Sequence, residues 1–231
     1  MRLDQYVASC SSLSRKDAKR AISAGRVRVN EQRCKQAKYP LAGQEQVLLD
    51  NQPLAAPGEL YLMMNKPAGV ISATTDSAQP TALDLLPADL AARVHIAGRL
   101  DKDTTGLLLL TSDGQWSHRA TSPRRECPKT YRVTLAEAID EKARLALEQG
   151  VLLKGEPAPT RPATVTCHND TEIDLTISEG RYHQVKRMLA AVGNHVLALH
   201  RCRIGRITLD NELAPGEFRA LSDNEIRSLT D

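Results

Sequence analysis

Aromatic side chains are scarce in this chain of 231 residues: one Trp, one Phe and five Tyr, 3% in all. A binder built on rows of stacked rings, such as an RRM or OB platform, is therefore excluded. Cysteines are few and scattered. The five thiols (Cys10, Cys34, Cys127, Cys167, Cys202) are odd in number and none forms C-x-x-C, so no metal site and no disulfide framework is expected. No run approaches the ~18 apolar residues of a helical membrane span. The polar opening MRLDQYVASCSSLSRK also lacks a signal-peptide core. A cytoplasmic protein with reduced thiols and no membrane partner is the expectation. Net charge is only +3, which by itself points to no polyanion, and 41% hydrophobic content disfavours disorder.

What is present is unevenly distributed. Residues 1–40 hold ten Lys and Arg against three acids. Residues 181–206 hold Arg181, Lys186, Arg187, Arg201, Arg203 and Arg206 with no acid, and the tail from 209 has six acids against Arg219 and Arg227. Near-neutrality is cancellation between segments.

The N-terminal pattern predicts helix, turn, helix, strand, strand. Leu3, Tyr6 and Val7 have helical spacing. Ser14 is an N-cap, with Asp17 completing a weak capping box. Ala18, Ala21 and Ile22 form the apolar stripe, and Gly25 is the stop. Val27 and Val29 alternate with Arg26 and Arg28, and residues 47–49 suggest another strand. Arg15, Lys16, Lys19 and Arg20 cluster on the second helix without Glu at i ± 4. A solvated face is the usual meaning of such a run; here the missing Glu residues favour a polyanion surface. Residues 51–58 (NQPLAAPG) read as a linker.

From Glu59 onward strands dominate without a βα rhythm. Strands are predicted at 60–64, 94–96, 107–110, 131–135, 163–167, 173–177, 195–199 and 203–209. Helices are predicted at 140–149 and 184–192, with a short one broken by Pro87. The four-Leu run 107–110 reads as a strand buried on both faces. The whole is α+β: a small N-terminal domain, 1–58 with its linker, then a largely antiparallel mixed-sheet domain, 59–231.

The segment His95–Gly114, with GRLDKDTTGLLLLTSDG at its centre, is a polar loop between two buried strands. Such a loop holds a carboxylate rigidly at a sheet edge. Its spacing excludes an EF-hand. No G-x-S-x-G elbow exists to support a serine nucleophile.

This segment resembles the catalytic motif of pseudouridine synthases of the RsuA group. Lys66-Pro67-Ala68-Gly69, Lys129-Thr130-Tyr131 and Glu179–Leu189 (EGRYHQVKRML) resemble that family's other motifs, in the expected order. RLDQYV…SRKDAKRAISAGRVRVN resembles the S4 RNA-binding domain. The likeness covers nearly the whole chain. It implies an S4-like RNA-binding domain followed by a pseudouridine synthase catalytic domain. The implied reaction isomerises a specific uridine of small-subunit (16S) ribosomal RNA, free or in a partly assembled particle, without cofactor or metal. A monomer is expected.

By the same resemblance Asp101 is the catalytic carboxylate. Attack on C1′, support of an oxocarbenium centre and removal of the 2′ proton all stay open. A cationic partner is required; Lys186 is the best match, with Arg181 and Arg187 as alternatives. Tyr131 matches the active-site tyrosine, against its reading as an ordinary strand residue. Arg99, Arg181, Arg187, Lys66 and Leu108 are the substrate-binding candidates, Lys66 being equally a structural residue and Leu108 a floor of the uracil pocket. Asp103 is expected to cap its loop through backbone N–H groups. Arg2, Arg15, Lys16, Lys19, Arg20, Arg26 and Arg28 are the RNA-binding candidates. Competing readings are a synthase for large-subunit RNA, a non-catalytic S4-type binder, and a hydrolase releasing free base.

Overall fold

The computed structural model describes residues 1–231 except 43–44, 55–57, 123–124 and 230–231. The chain divides into two compact units, Met1–Gly58 and Glu59–Asp231. Residues 55–57 of the expected linker lie outside the described residues. Among the described residues no helix is long and apolar enough to cross a membrane.

The first unit runs α1 (Leu3–Ser9), α2 (Arg15–Ser23), β1 (Val27–Val29), β2 (Gln32–Arg33), β3 (Val47–Leu49) and β4 (Gln52–Leu54). Ser14 caps α2 by accepting from the Asp17 N–H, but only half of the expected box forms. The Ser14 hydroxyl bonds the Asp17 carboxylate instead of leaving it to the backbone. Leu3, Val7, Ala18 and Ile22 from the two helices pack on Val27 and Val47 of the sheet. That sheet is ordered β2-β1-β3-β4 and is antiparallel. β2 and β4 are additions to the sequence reading. β4 lies in the expected linker, where Pro53 suggested a turn; an edge strand tolerates it because one side needs no donor.

The second unit contains β5 (Tyr61–Lys66), a 3-10 turn Ala82–Leu85, α3 (Ala88–Ala91), β6 (His95–Ala97), β7 (Thr105–Thr111), α4 (Gly114–Thr121) and β8 (Lys129–Leu135). It continues with α5 (Glu141–Gln149), β9 (Thr164–Cys167), β10 (Glu172–Ile177), α6 (Gln184–Ala191), β11 (Val196–Ile204), β12 (Ile207–Thr208), β13 (Phe218–Ala220) and α7 (Asp223–Arg227). The sheet order is β13-β5-β7-β11-β8-β10-β9, with β6 on β7 and β12 on β11. Every neighbouring pair is antiparallel except β7 with β11.

The leucine run explains why this sheet is covered on both faces. Leu108 and Leu110 enter one core with Leu62, Met64 and Val133; Leu107 and Leu109 enter another with Met63, Trp116 and Ile204. All four leucines are fully buried, each worth roughly 2 kcal/mol. The two expected strands 195–199 and 203–209 are largely one, β11, running unbroken through His200-Arg201-Cys202. The polar triplet fell between the two expected strands, yet Arg201 takes the same inward phase as Leu199.

Candidate active site

β6 and β11 share one edge of β7. β6 pairs with Leu109–Thr111 and β11 with Thr105 and Gly106, so residues 107–108 have no strand partner on that edge. The loop 98–104 leaves β6 at this gap and returns into β7. Gly106 makes the close approach possible: its φ is +99°, and a Cβ would lie 2.4 Å from the Arg201 carbonyl oxygen.

Arg201 fills the gap. Only 1% exposed, it donates from Nε to the Leu107 carbonyl at 2.8 Å, from Nη1 to Arg99 O at 3.3 Å and from Nη2 to Gly98 O at 3.3 Å. The Leu107 carbonyl would otherwise be buried without a donor. Lys66 holds the other end of the loop. Its fully buried Nζ donates to Thr104 O at 2.8 Å, Pro67 O at 2.9 Å and Lys102 O at 3.4 Å. Burial pushes this ammonium down to about 8, against the pull of Asp103 and Asp101. Ser72 adds a reciprocal pair, donating to Leu100 O at 2.8 Å and accepting from Leu100 N at 3.0 Å. Asp101 thus sits on a loop fastened on three sides.

The carboxylate of Asp101 faces the start of α6. His183 Nε2 lies 3.4 Å from Oδ1 and Lys186 Nζ 3.6 Å from Oδ2. Lys186 bonds Asp103 more tightly, at 2.7 and 2.8 Å, and this holds the Asp103 carboxyl below the usual carboxylate range. Asp103 therefore anchors Lys186 and is not chiefly a backbone cap. The start of α6 is itself fixed: Gln184 accepts from Arg181 N at 2.8 Å and donates to Glu179 at 2.8 Å. His183 enters the helix with φ 47°.

Asp101, Arg99, Tyr131, Arg181, His183 and Lys186 line one cleft of about 590 Å³. Leu100, Ile71, Ile177, Val185 and Leu199 supply its apolar walls. Tyr131 is 8% exposed on β8, with the Arg201 guanidinium carbon 6.0 Å from its ring centroid. One buried arginine thus touches both the Asp101 loop and the tyrosine. The cleft pairs a rigid carboxylate with cations and a ring, suited to chemistry at a sugar carbon beside a base.

Two family models match: RNA pseudouridylate synthase over residues 60–191 and S4 domain over residues 1–47. The chain belongs to the RNA pseudouridylate synthase family. It is an RNA pseudouridine synthase, an isomerase, with an S4 domain ahead of its mixed sheet. Over 230 residues it is 50% identical to the Ribosomal small subunit pseudouridine synthase A of Escherichia coli (strain K12), covering 99% of this chain and 100% of that one. The protein of the same name from Haemophilus influenzae is 45% identical over 230 residues, covering 99% of each. A solved pseudouridylate synthase structure superposes with TM-score 0.73 at 44% identity, covering 99% of both chains.

Four substrate candidates are placed as follows, Lys66 taking the structural one of its two expected roles. Lys66 is fully buried and holds a loop, so it does not face RNA. Leu108 is core and does not line the cleft; that floor comes from loop and helix residues such as Leu100 and Val185. Arg181 lines the cleft, but its guanidinium bonds Ala158 O, Pro159 O and Glu179. Arg187 lies outside the cleft lining and bonds Glu156, Lys154 O and Tyr182 O. Neither arginine is the Asp101 partner.

In the S4 domain, Arg15, Lys16, Lys19 and Arg20 are exposed on α2, and Arg28 is half-buried on β1. Arg2 grips the buried Asp4 with two bonds, at 3.0 and 2.8 Å, and Arg26 holds Asp50 in the same way. Arg15 approaches Asp4 at 3.9 Å and Arg20 reaches Asp17 at 3.3 Å.

Arg201, Ser72 and the contact of His183 with Asp101 were not foreseen. For Arg201 the available signal was its position in phase with Leu199 and opposite Tyr131 across β8.

Proposed function

We propose that this synthase converts a specific uridine of small-subunit ribosomal RNA into pseudouridine, with Asp101 as the reacting carboxylate. The observation carrying the reading is the Asp101 carboxylate, on a loop stapled by Lys66 and Arg201, set against Lys186 and His183 in a cleft shared with Tyr131. The small-subunit target is supported by the full-length likeness to enzymes named for that subunit.

In the reaction the N1–C1′ bond breaks, the uracil turns, and C5 bonds to C1′. The C5 proton leaves and N1 gains one, so atoms and electrons balance without a co-reactant. Asp101 acts on the sugar side of the broken bond. Lys186 offsets the repulsion between that carboxylate and the phosphates, and His183 flanks the carboxylate on its other oxygen. Tyr131 offers its ring to the extruded uracil, whose extrusion costs a few kcal/mol. Arg99, beside Asp101 at the cleft wall, contacts the RNA backbone. The exposed cations of α2 anchor the RNA through the S4 domain.

The test is incubation with small-subunit RNA carrying 5-³H-uridine, both free and in assembling particles. Tritium release without free uracil is the expected result. Free uracil would make the chain a hydrolase, and release from large-subunit RNA alone would overturn the target.

A further inference from the structure

Tyr182 is the most exposed Tyr, Phe or Trp among the described residues, 77% against 37% for Tyr39. It lines the same cleft as Asp101. One face of its ring stacks on His183, with centroids 3.8 Å apart and planes 23° from parallel. His183 in turn reaches Asp101. The backbone beneath the ring is immobilised: the Tyr182 carbonyl accepts from Arg187, Arg181 is tied to Ala158 and Pro159, and Gln184 is tied to Glu179. The hydroxyl makes no hydrogen bond among the described residues. A large apolar ring held rigidly in water, with its second face open and no polar anchor, contributes nothing evident to the fold.

We propose that Tyr182 is a stacking platform for a nucleobase adjacent to the target uridine. Turning the uridine out of its stack leaves the neighbouring base with an uncovered face. The open face of Tyr182 covers it, while Tyr131 serves the extruded base within the cleft. The stack is backed by His183, so seating the neighbour also sets the side chain that touches Asp101. Stacking depends on ring area more than on base identity, so a purine neighbour gains more than a pyrimidine. Tyr182 is a positioning residue, and this role rests on the RNA reading of the cleft.

The test uses an RNA containing the modified uridine, the same RNA with an abasic residue at either flank, and the full-length chain with Tyr182→Ala, Tyr182→Phe or Tyr182→Trp. With intact RNA, Tyr182→Ala is expected to lower kcat/KM roughly tenfold, while Tyr182→Phe and Tyr182→Trp stay within about twofold. One abasic flank should lower wild-type kcat/KM by a similar factor, and on that RNA Tyr182→Ala should cost nothing more. Tyr182→Ala within twofold of wild type, equal losses on intact and abasic RNA, or Tyr182→Phe failing as badly as Tyr182→Ala would each overturn the platform. A wild-type chain that isomerises no RNA would instead overturn the functional reading beneath it.

Discussion

Two segments of this synthase are equally conspicuous for basic residues, yet the fold uses them differently. On α2 of the S4 domain the cations Arg15, Lys16, Lys19 and Arg20 are exposed, and among the described residues only Arg15 and Arg20 have an acid within 4 Å. Around the cleft most of the cations are tied into the fold, Arg99 excepted. Arg201 is buried among carbonyls, Arg181 and Arg187 are tied to Glu156, Glu179 and backbone, and Lys186 bridges two aspartates. A run of positive charge in sequence therefore carries two meanings. Where the backbone pairs fully, it is a surface for polyanions. Where a strand edge is left unpaired, as at Leu107, a cation supplies the missing donors.

The comparison breaks most visibly at Arg201. Arg201→Leu strips donors from one buried and two part-buried carbonyls and should cost roughly 3 kcal/mol of stability. That lowers the melting temperature by about 10 °C for a domain of this size. Turnover at low temperature, where the chain stays folded, should fall on the order of 100-fold as the Asp101 loop shifts. Calorimetry and tritium release measure the two effects; a variant active at the wild-type rate would remove the staple from the account.

Lys66 sharpens the same contrast through pH. Lys66→Met should destabilise by about 1–3 kcal/mol at neutral pH, because the loop carbonyls lose their donor. Burial lowers the ammonium to about 8 from 10.5, so between those values the unfolded chain binds this proton more strongly than the folded one. Wild-type stability relative to Lys66→Met is then flat below the lower value and rises with pH across the window. Urea titrations of both proteins at pH 7 and about pH 9.5 measure it. A wild-type advantage that shrinks at the higher pH would contradict the buried ammonium.

At the other end, Lys16→Ala with Lys19→Ala should leave stability within about 0.5 kcal/mol. It should weaken RNA binding and reduce the salt slope of log K by roughly 0.7–0.9 per cation removed. An unchanged slope would place the RNA elsewhere on the S4 domain.

Much of this architecture was legible because it obeys local periodicities. The stripe of Ala18, Ala21 and Ile22 and the alternation of Val27 and Val29 reappear as helix face and strand face. The run Leu107–Leu110 reappears as a strand feeding two cores. The motif resemblance brought Asp101, Tyr131 and Lys186 to attention, and the structure gathers them in one cleft. What could not be read was the use of the cations. Their default is solvent, and the reasons for burying Lys66 and Arg201 are carbonyls that, Pro67 apart, lie 36 to 103 positions away. Leu108 failed for a related reason: the cleft walls combine loops and a helix N-terminus with residues of β8, β10 and β11, a gathering that no local period reveals.

The central claim is that Asp101 does the chemistry while the S4 domain and the cleft rim hold the RNA. Asp101→Asn keeps the size of the side chain and removes its charge, so one protein separates the two. Turnover of 5-³H-uridine RNA and equilibrium binding of the same RNA should be measured side by side. The account predicts tritium release reduced to background with binding within a few-fold of wild type. Retained turnover, or binding lost in parallel with turnover, would contradict it.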